Sequence, residues 1–271
     1  MLLGEGLRLV AAISMLCLIA VAFACGGGGG DPGATIGPLT GNWEITLQRH
    51  AVPAPLTYTG FLVQNGSSVT GSVILGDGCS GVGPVSGTLD GTNLTLNIGE
   101  FGQDVSLIGT APFGSAPMGG QFSTIVGACT MPYTSTGTWS GVIVPPLNGV
   151  FTGTFTPSLP EIPPINVQGT LAQGPNVGGS TTTLSGTISA TNPTSSFCTY
   201  LTTATITGVI SGETATLNLF DPDGSLISQM DLSITPKGSS LSGSSLNGPY
   251  VFQTTSKNCN GESGTLTLTF Q

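Results

Sequence analysis

His50 is the single histidine of the chain, and it follows Arg49 at the head of the stretch Ala51-Val52-Pro53-Ala54-Pro55. A Ser-His-Asp or Cys-His mechanism would use it as general base, but no nucleophile motif such as Gly-x-Ser-x-Gly at a strand-to-helix turn accompanies it. A solvated loop histidine is the reading that remains. Asp221-Pro222-Asp223-Gly224 packs two carboxylates into four residues, with Asp231 nearby. Such oxygens suit calcium, yet the spacing is not that of an EF-hand loop, and Asp-Pro and Asp-Gly are ordinary turn vocabulary. A two-carboxylate glycosidase needs a pair facing one cleft, which no spacing here demonstrates. Gly26 to Gly30 lacks the Lys and Ser/Thr of a phosphate loop. Zinc needs several His or Cys ligands, and the cysteines are better explained below. No metal, no cofactor and no catalysis are expected.

The charge balance narrows the field further. Only 6% of the 271 residues are charged, with a net charge of -9, against roughly 25% charged residues in an ordinary soluble domain. Of the basic residues, Arg8 lies in a segment read as removed, which leaves Arg49, Lys237 and Lys257. Nucleic-acid binding displaces phosphate counterions with many cations, so three scattered ones argue against it. Docking on anionic lipid by charge fails for the same reason.

Residues 1–24 carry Arg8 near the start, an apolar run from Leu9 to Phe23, and small residues before Cys25. That is the layout of an export signal. The run is short for a bilayer span of about 20 residues and breaks into Gly26 to Gly30, which is flexible chain. Ala22-Phe23-Ala24-Cys25 resembles the bacterial lipobox. The resemblance implies that Cys25 is acylated, becomes the first mature residue, and anchors the protein in the cell envelope; Gly26 where a retention signal would put Asp points to the outer membrane. Several acyl chains on one residue make such an anchor stable, at about 0.8 kcal/mol per buried CH₂. Residues 25–38 are then a lipidated Cys and a tether.

The remainder repeats. Leu39-Thr40-Gly41-Asn42-Trp43 parallels Leu147-Asn148-Gly149-Val150-Phe151, and Gly60-Phe61-Leu62-Val63-Gln64 parallels Gly169-Thr170-Leu171-Ala172-Gln173. Val69 to Val73 matches Leu184 to Ile188, and Gly87-Thr88-Leu89-Asp90-Gly91 matches Gly208-Val209-Ile210-Ser211-Gly212. Matches in one consistent order argue for two copies of one fold, 39–146 and 147–271, meeting near Pro145-Pro146. Within each copy the period is two. Leu94, Leu96 and Ile98 alternate with polar residues, as do Leu266, Leu268 and Phe270, and as do Met230, Leu232 and Ile234. Such alternation predicts half-buried antiparallel strands, with turns at Asn65-Gly66, Asp90-Gly91, Ser211-Gly212 and Asp223-Gly224. About eight strands per copy are expected, of about five to seven residues each. In the first copy they start near Trp43, Gly60, Val69, Val85, Leu94, Val105, Gly119 and Thr138.

The predicted fold class is therefore all-β, with two tandem antiparallel barrels of about eight strands; two β-sandwiches are the alternative. Such short strands without aromatic girdles argue against one membrane-spanning barrel. In an up-and-down barrel Cys79 and Cys129 fall at one end of the first copy, and Cys198 and Cys259 at the equivalent end of the second. Repeated placement favours Cys79 with Cys129 and Cys198 with Cys259, while pairing across the copies stays open. Export supplies the oxidising compartment, and each bridge would contribute roughly 4 kcal/mol.

Gly41-Asn42-Trp43 at the head of the first strand resembles the Gly-x-Trp opening of calycins, the lipocalin and avidin superfamily of ligand-holding barrels. That likeness implies a barrel whose floor Trp43 plugs. Biotin-holding positions do not carry over, since Ile45 stands where a polar Asn would be wanted. Both copies place prolines after the first strand, Pro53 and Pro55 in one and Pro157, Pro160, Pro163 and Pro164 in the other, which suggests a shaped rim. Two functions follow as expectations: binding of a small apolar ligand or glycan, or a structural or adhesive envelope role without a pocket. No ligand is named by the sequence, and the one partner it implies is the membrane, through lipid on Cys25.

Overall fold

The computed structural model describes residues 39–50, 53–75, 81–100, 103–111, 118–124, 135–176, 179–192, 203–237, 240–253 and 261–271. The elements among them are sixteen strands. In the first copy they are β1 (Gly41–Arg49), β2 (Leu56–Asn65), β3 (Ser68–Leu75), β4 (Val82–Asp90), β5 (Asn93–Glu100), β6 (Gln103–Thr110), β7 (Met118–Thr124) and β8 (Thr136–Val144). In the second they are β9 (Gly149–Pro157), β10 (Ile165–Gln173), β11 (Thr182–Ala190), β12 (Ala204–Ser211), β13 (Thr214–Phe220), β14 (Leu226–Lys237), β15 (Ser240–Val251) and β16 (Ser263–Phe270). Each strand pairs antiparallel with the next, β8 returns to β1, and β16 returns to β9. The result is two closed up-and-down barrels of eight strands, not two sandwiches.

Period-two alternation decides which side chains enter each barrel. Leu94, Leu96 and Ile98 point inward with Asn93, Thr95 and Asn97 outward, and Leu266, Leu268 and Phe270 point inward with threonines outside. An eight-stranded closure leaves an interior just wide enough for side chains to fill. Each barrel accordingly holds one continuous apolar cluster. Apolar inside and Thr/Ser outside is the inverse of a membrane-spanning barrel, whose outward band is apolar.

Strand lengths differ from the sequence expectation. They run from 7 residues in β7 and β13 to 12 in β14 and β15. Glycine and proline also lie within strands, such as Pro84 and Gly87 in β4 and Gly248 and Pro249 in β15.

Those internal glycines have a steric cause. A Cβ on Gly60 would sit on the Ser72 carbonyl oxygen, one on Gly87 on that of Thr95, one on Gly186 on that of Thr170, and one on Gly264 on that of Thr156. Neighbouring backbone approaches closely at each, which is how a small barrel bends its strands around a narrow interior. Aromatic rings fill part of the space so left. Trp43 stands opposite Gly60 in the β1–β2 pair and Phe151 opposite Gly169 in the β10–β9 pair.

The internal repeat extends to hydrogen bonds. At the floor of the first barrel Leu39 N donates to Gln64 Oε1 (3.2 Å) and Gln64 N donates to Thr40 Oγ1 (2.9 Å). In the second, Leu147 N donates to Gln173 Oε1 (3.0 Å) and Gln173 N donates to Asn148 Oδ1 (2.6 Å). Both floors are thus closed by a buried leucine held by a glutamine at the end of the second strand.

Candidate functional site

Cys25, Cys79, Cys129, Cys198 and Cys259 lie outside the described residues. His50 is exposed just beyond β1, where its backbone N–H donates to the Thr136 carbonyl at 3.2 Å. The Asp221-Pro222-Asp223-Gly224 carboxylates are turn formers: Asp221 Oδ1 accepts from the N–H groups of Asp223 and Ser225 at 3.1 and 2.8 Å. Asp231 is engaged on the outer face, accepting from the Thr216 hydroxyl at 2.7 Å. Among the described residues no three His, Cys, Asp or Glu side chains gather as a metal site would require. Among the prolines, Pro157 ends β9, and the following segment turns on an Ile162 N–H to Leu159 carbonyl bond of 3.1 Å with Ile162 buried.

The barrel interiors are the first place to look for a ligand. Leu94, Leu96, Leu217 and Leu219 are each 0% exposed, so none leaves surface that a water-sized body can touch. Trp43 lies across the first floor, its Nε1 donating to the Leu39 carbonyl at 2.9 Å. In the second barrel Phe155, Tyr250 and Phe252 pack as a cluster with ring centroids 4.7 to 5.3 Å apart. Tyr250 donates to the buried Glu262 carboxylate at 2.6 Å, and burial together with that bond pushes its phenol far above the ordinary range. Glu262 Oε2 has no hydrogen-bond partner.

The second place is the seam between barrels, which the sequence did not reveal. Both barrels belong to one compact unit, Ile36–Gln271. Asn42, on the outward side of β1, is nonetheless buried, because the β12–β13 turn covers it. Its amide donates to the Gly212 carbonyl and its Oδ1 accepts from the Gly212 N–H, both at 2.8 Å. Ser211 Oγ lies 3.1 Å from Thr59 Oγ1 and 3.0 Å from the Ser180 carbonyl oxygen. Gly212 has φ of 55°, and a Cβ there would run into the Thr59 side chain. Glycine is required twice, by conformation and by contact.

Glu44 and Glu213 meet at the same seam. Half-burial raises the Glu44 carboxyl above its ordinary value, and the adjoining Glu213 charge and a hydrogen bond to Glu213 raise it further. Glu213 is raised by burial, while the bond from Glu44 works the other way. The two carboxyls adjoin at the seam, and burial holds each of them above the ordinary carboxylate range. The signal that could have exposed the seam was a mismatch inside the repeat. Asn42 and Glu44 stand where the second copy has Val150 and Thr152, and Thr59, the partner of Glu44, stands where the second copy has Gln168, the partner of Thr152.

Among known proteins, no family model matches the chain, and no curated protein matches it. Among solved structures it is similar to the crystal structure of a protein provisionally named AttH (NE1406) from Nitrosomonas europaea. The two are 10% identical, with 90% of this chain and 98% of that one covered, and a TM-score of 0.21.

Proposed function

We propose that the chain is an exported, lipid-anchored protein of the bacterial cell envelope whose work is structural or adhesive and does not involve catalysis. The observation that carries this reading is the packing of both interiors. A barrel that holds an apolar ligand keeps a void lined by its inward side chains, and here Leu94, Leu96, Leu217 and Leu219 fill theirs. The polar outer faces and the hydrogen-bonded seam suit a module that presents surface. The anchor rests on the lipobox-like Ala22-Phe23-Ala24-Cys25 and the glycine run behind it. Outer-membrane placement follows from Gly26, and stability outside the cell from Cys79–Cys129 and Cys198–Cys259 bridges.

Mass spectrometry of the mature amino terminus from a bacterial host tests the anchor. The expected species begins at Cys25 and carries acyl chains, and Cys25→Ser releases the protein from the membrane fraction. An unmodified Cys25 overturns the anchor. Retention of a small apolar compound through native purification, with contacts to the leucines above, overturns the packed-barrel reading.

A further inference from the structure

The seam uses one hairpin turn of the second barrel and one sheet face of the first, and the internal repeat supplies both a second time. Strand registers align β1–β2 with β9–β10, so that Trp43 faces Gly60 as Phe151 faces Gly169, and Glu44 faces Thr59 as Thr152 faces Gln168. The face equivalent to the seam therefore lies on the second barrel around Val150, Thr152 and Gln168. At that place the surface carries an open groove of about 580 Å³, lined by those three residues together with Thr170 and Thr187.

The turn is repeated as well. Asp90-Gly91-Thr92-Asn93 between β4 and β5 corresponds to Ser211-Gly212-Glu213-Thr214 between β12 and β13. Asp90 pairs Asn93 as Ser211 pairs Thr214. Gly91 and Gly212 share the same backbone, φ of 59° and 55°. They differ in what surrounds them. A Cβ on Gly212 meets Thr59 of the first barrel, whereas one on Gly91 meets nothing within 4 Å. All four residues of the first-barrel turn are exposed.

We propose that the second-barrel face receives the β4–β5 turn of a second copy of this chain, so that copies associate head to tail. Substituting equivalent residues into the seam brings Asp90 opposite Gln168, where an amide N–H donates to a carboxylate. It brings Thr92 opposite Thr152, two hydroxyls in place of the two crowded glutamates. Val150 replaces Asn42 and forfeits the amide pair to the glycine, which makes the contact between copies weaker than the one within a chain. Donor and receiving surfaces differ, so the relation is heterologous, and its repetition gives a ring or an open filament. This association goes beyond the envelope role and does not depend on the anchor.

Sedimentation velocity on the purified full-length chain in nonionic detergent, at concentrations rising to about 1 mM, tests it. The expected result is a mass-average that grows with concentration. Gln168→Glu sets a carboxylate against Asp90 and weakens association roughly tenfold or more. Asp90→Lys in the same chain as Gln168→Glu restores it, with unfolding midpoints unchanged throughout. A sedimentation coefficient independent of concentration overturns the proposal. So does association that is indifferent to Gln168→Glu or not recovered by the charge exchange, since another surface then joins the copies.

Discussion

Gly169 shows why a chain with 43 glycines is not a low-complexity chain. A Cβ there would overlap the Thr187 carbonyl oxygen and crowd the ring of Phe151. Gly169→Ala forces the β10–β11 pair apart or tips Phe151 off its floor, a form of overpacking that typically costs about 1–3 kcal/mol. Urea unfolding reads this directly as a lowered midpoint at unchanged slope. Gly224, at φ of 88° with nothing within 4 Å of a Cβ, supplies the contrast. Gly224→Asn, whose side chain tolerates that backbone, moves the midpoint much less. Equal losses at the two positions would mean that backbone conformation, and not close approach in the barrel, explains the glycines. Composition displayed the glycines, but the pairing register was needed to separate those two roles. Inward positions such as Leu94 and Leu266 were legible from alternation alone, because burial on one face of a strand has only one period to obey.

Among elements, the strands were legible and the seam was not. All eight expected starts in the first copy fall within or at the edge of β1 to β8, since alternating residues between turn signals leave few other foldings. The turns themselves shift by one residue. Asn65 and Asp90 pair across as the last strand residues, and glycine opens the two-residue loop with positive φ, as in a type II′ turn. The seam escaped because Asn42 occupies an outward position that alternation assigns to solvent, and nothing local states that a turn 170 residues away covers it. Its glutamates make it sensitive to pH. No other charged side chain lies on β1, β2, β8 or the β12–β13 hairpin except Arg49, at the far end of β1, so the pair titrates against itself. Both carboxyls are raised above the ordinary 4.5 in the folded protein, so the folded state binds more protons than the unfolded one in that interval. Stability from the pair is complete below that ordinary value and is lost as pH rises through the raised ones. Glu44→Gln keeps a donor to Glu213 and removes the share of the proton dependence that Glu44 supplies, leaving the part that burial of Glu213 causes. The expected outcome is a higher unfolding temperature than wild type near neutral pH and little difference at acid pH, measured by calorimetry across pH 4 to 8. A difference that is constant across pH would show that the two glutamates do not share a proton.

At the scale of the molecule, the two barrels are neither independent beads nor a single core. Each has its own apolar cluster, yet Val144 pairs with Asn42 in the first barrel while packing in the cluster of the second, together with Leu147. The link and the seam thus converge on β1 and β2. A core truncation in the second barrel distinguishes the possible couplings. Leu217→Ala removes a fully buried side chain and lowers the stability of β9 to β16 by about 2–5 kcal/mol. Amide hydrogen exchange followed by mass spectrometry then reports how far the loss travels, because exchange measures the opening free energy of each segment separately. Exchange is expected to speed strongly in β9 to β16, to a smaller degree in β1 and β2, and not at all in β5. Uniform acceleration over both barrels would make the chain one cooperative unit. Acceleration confined to the second barrel would strip the seam of any energetic role, and the Asn42 to Gly212 bonds would then align the barrels without stabilising them. The intermediate pattern follows from the geometry: a few hydrogen bonds to one turn and two shared link residues couple neighbouring strands but cannot transmit the full cost of a core cavity.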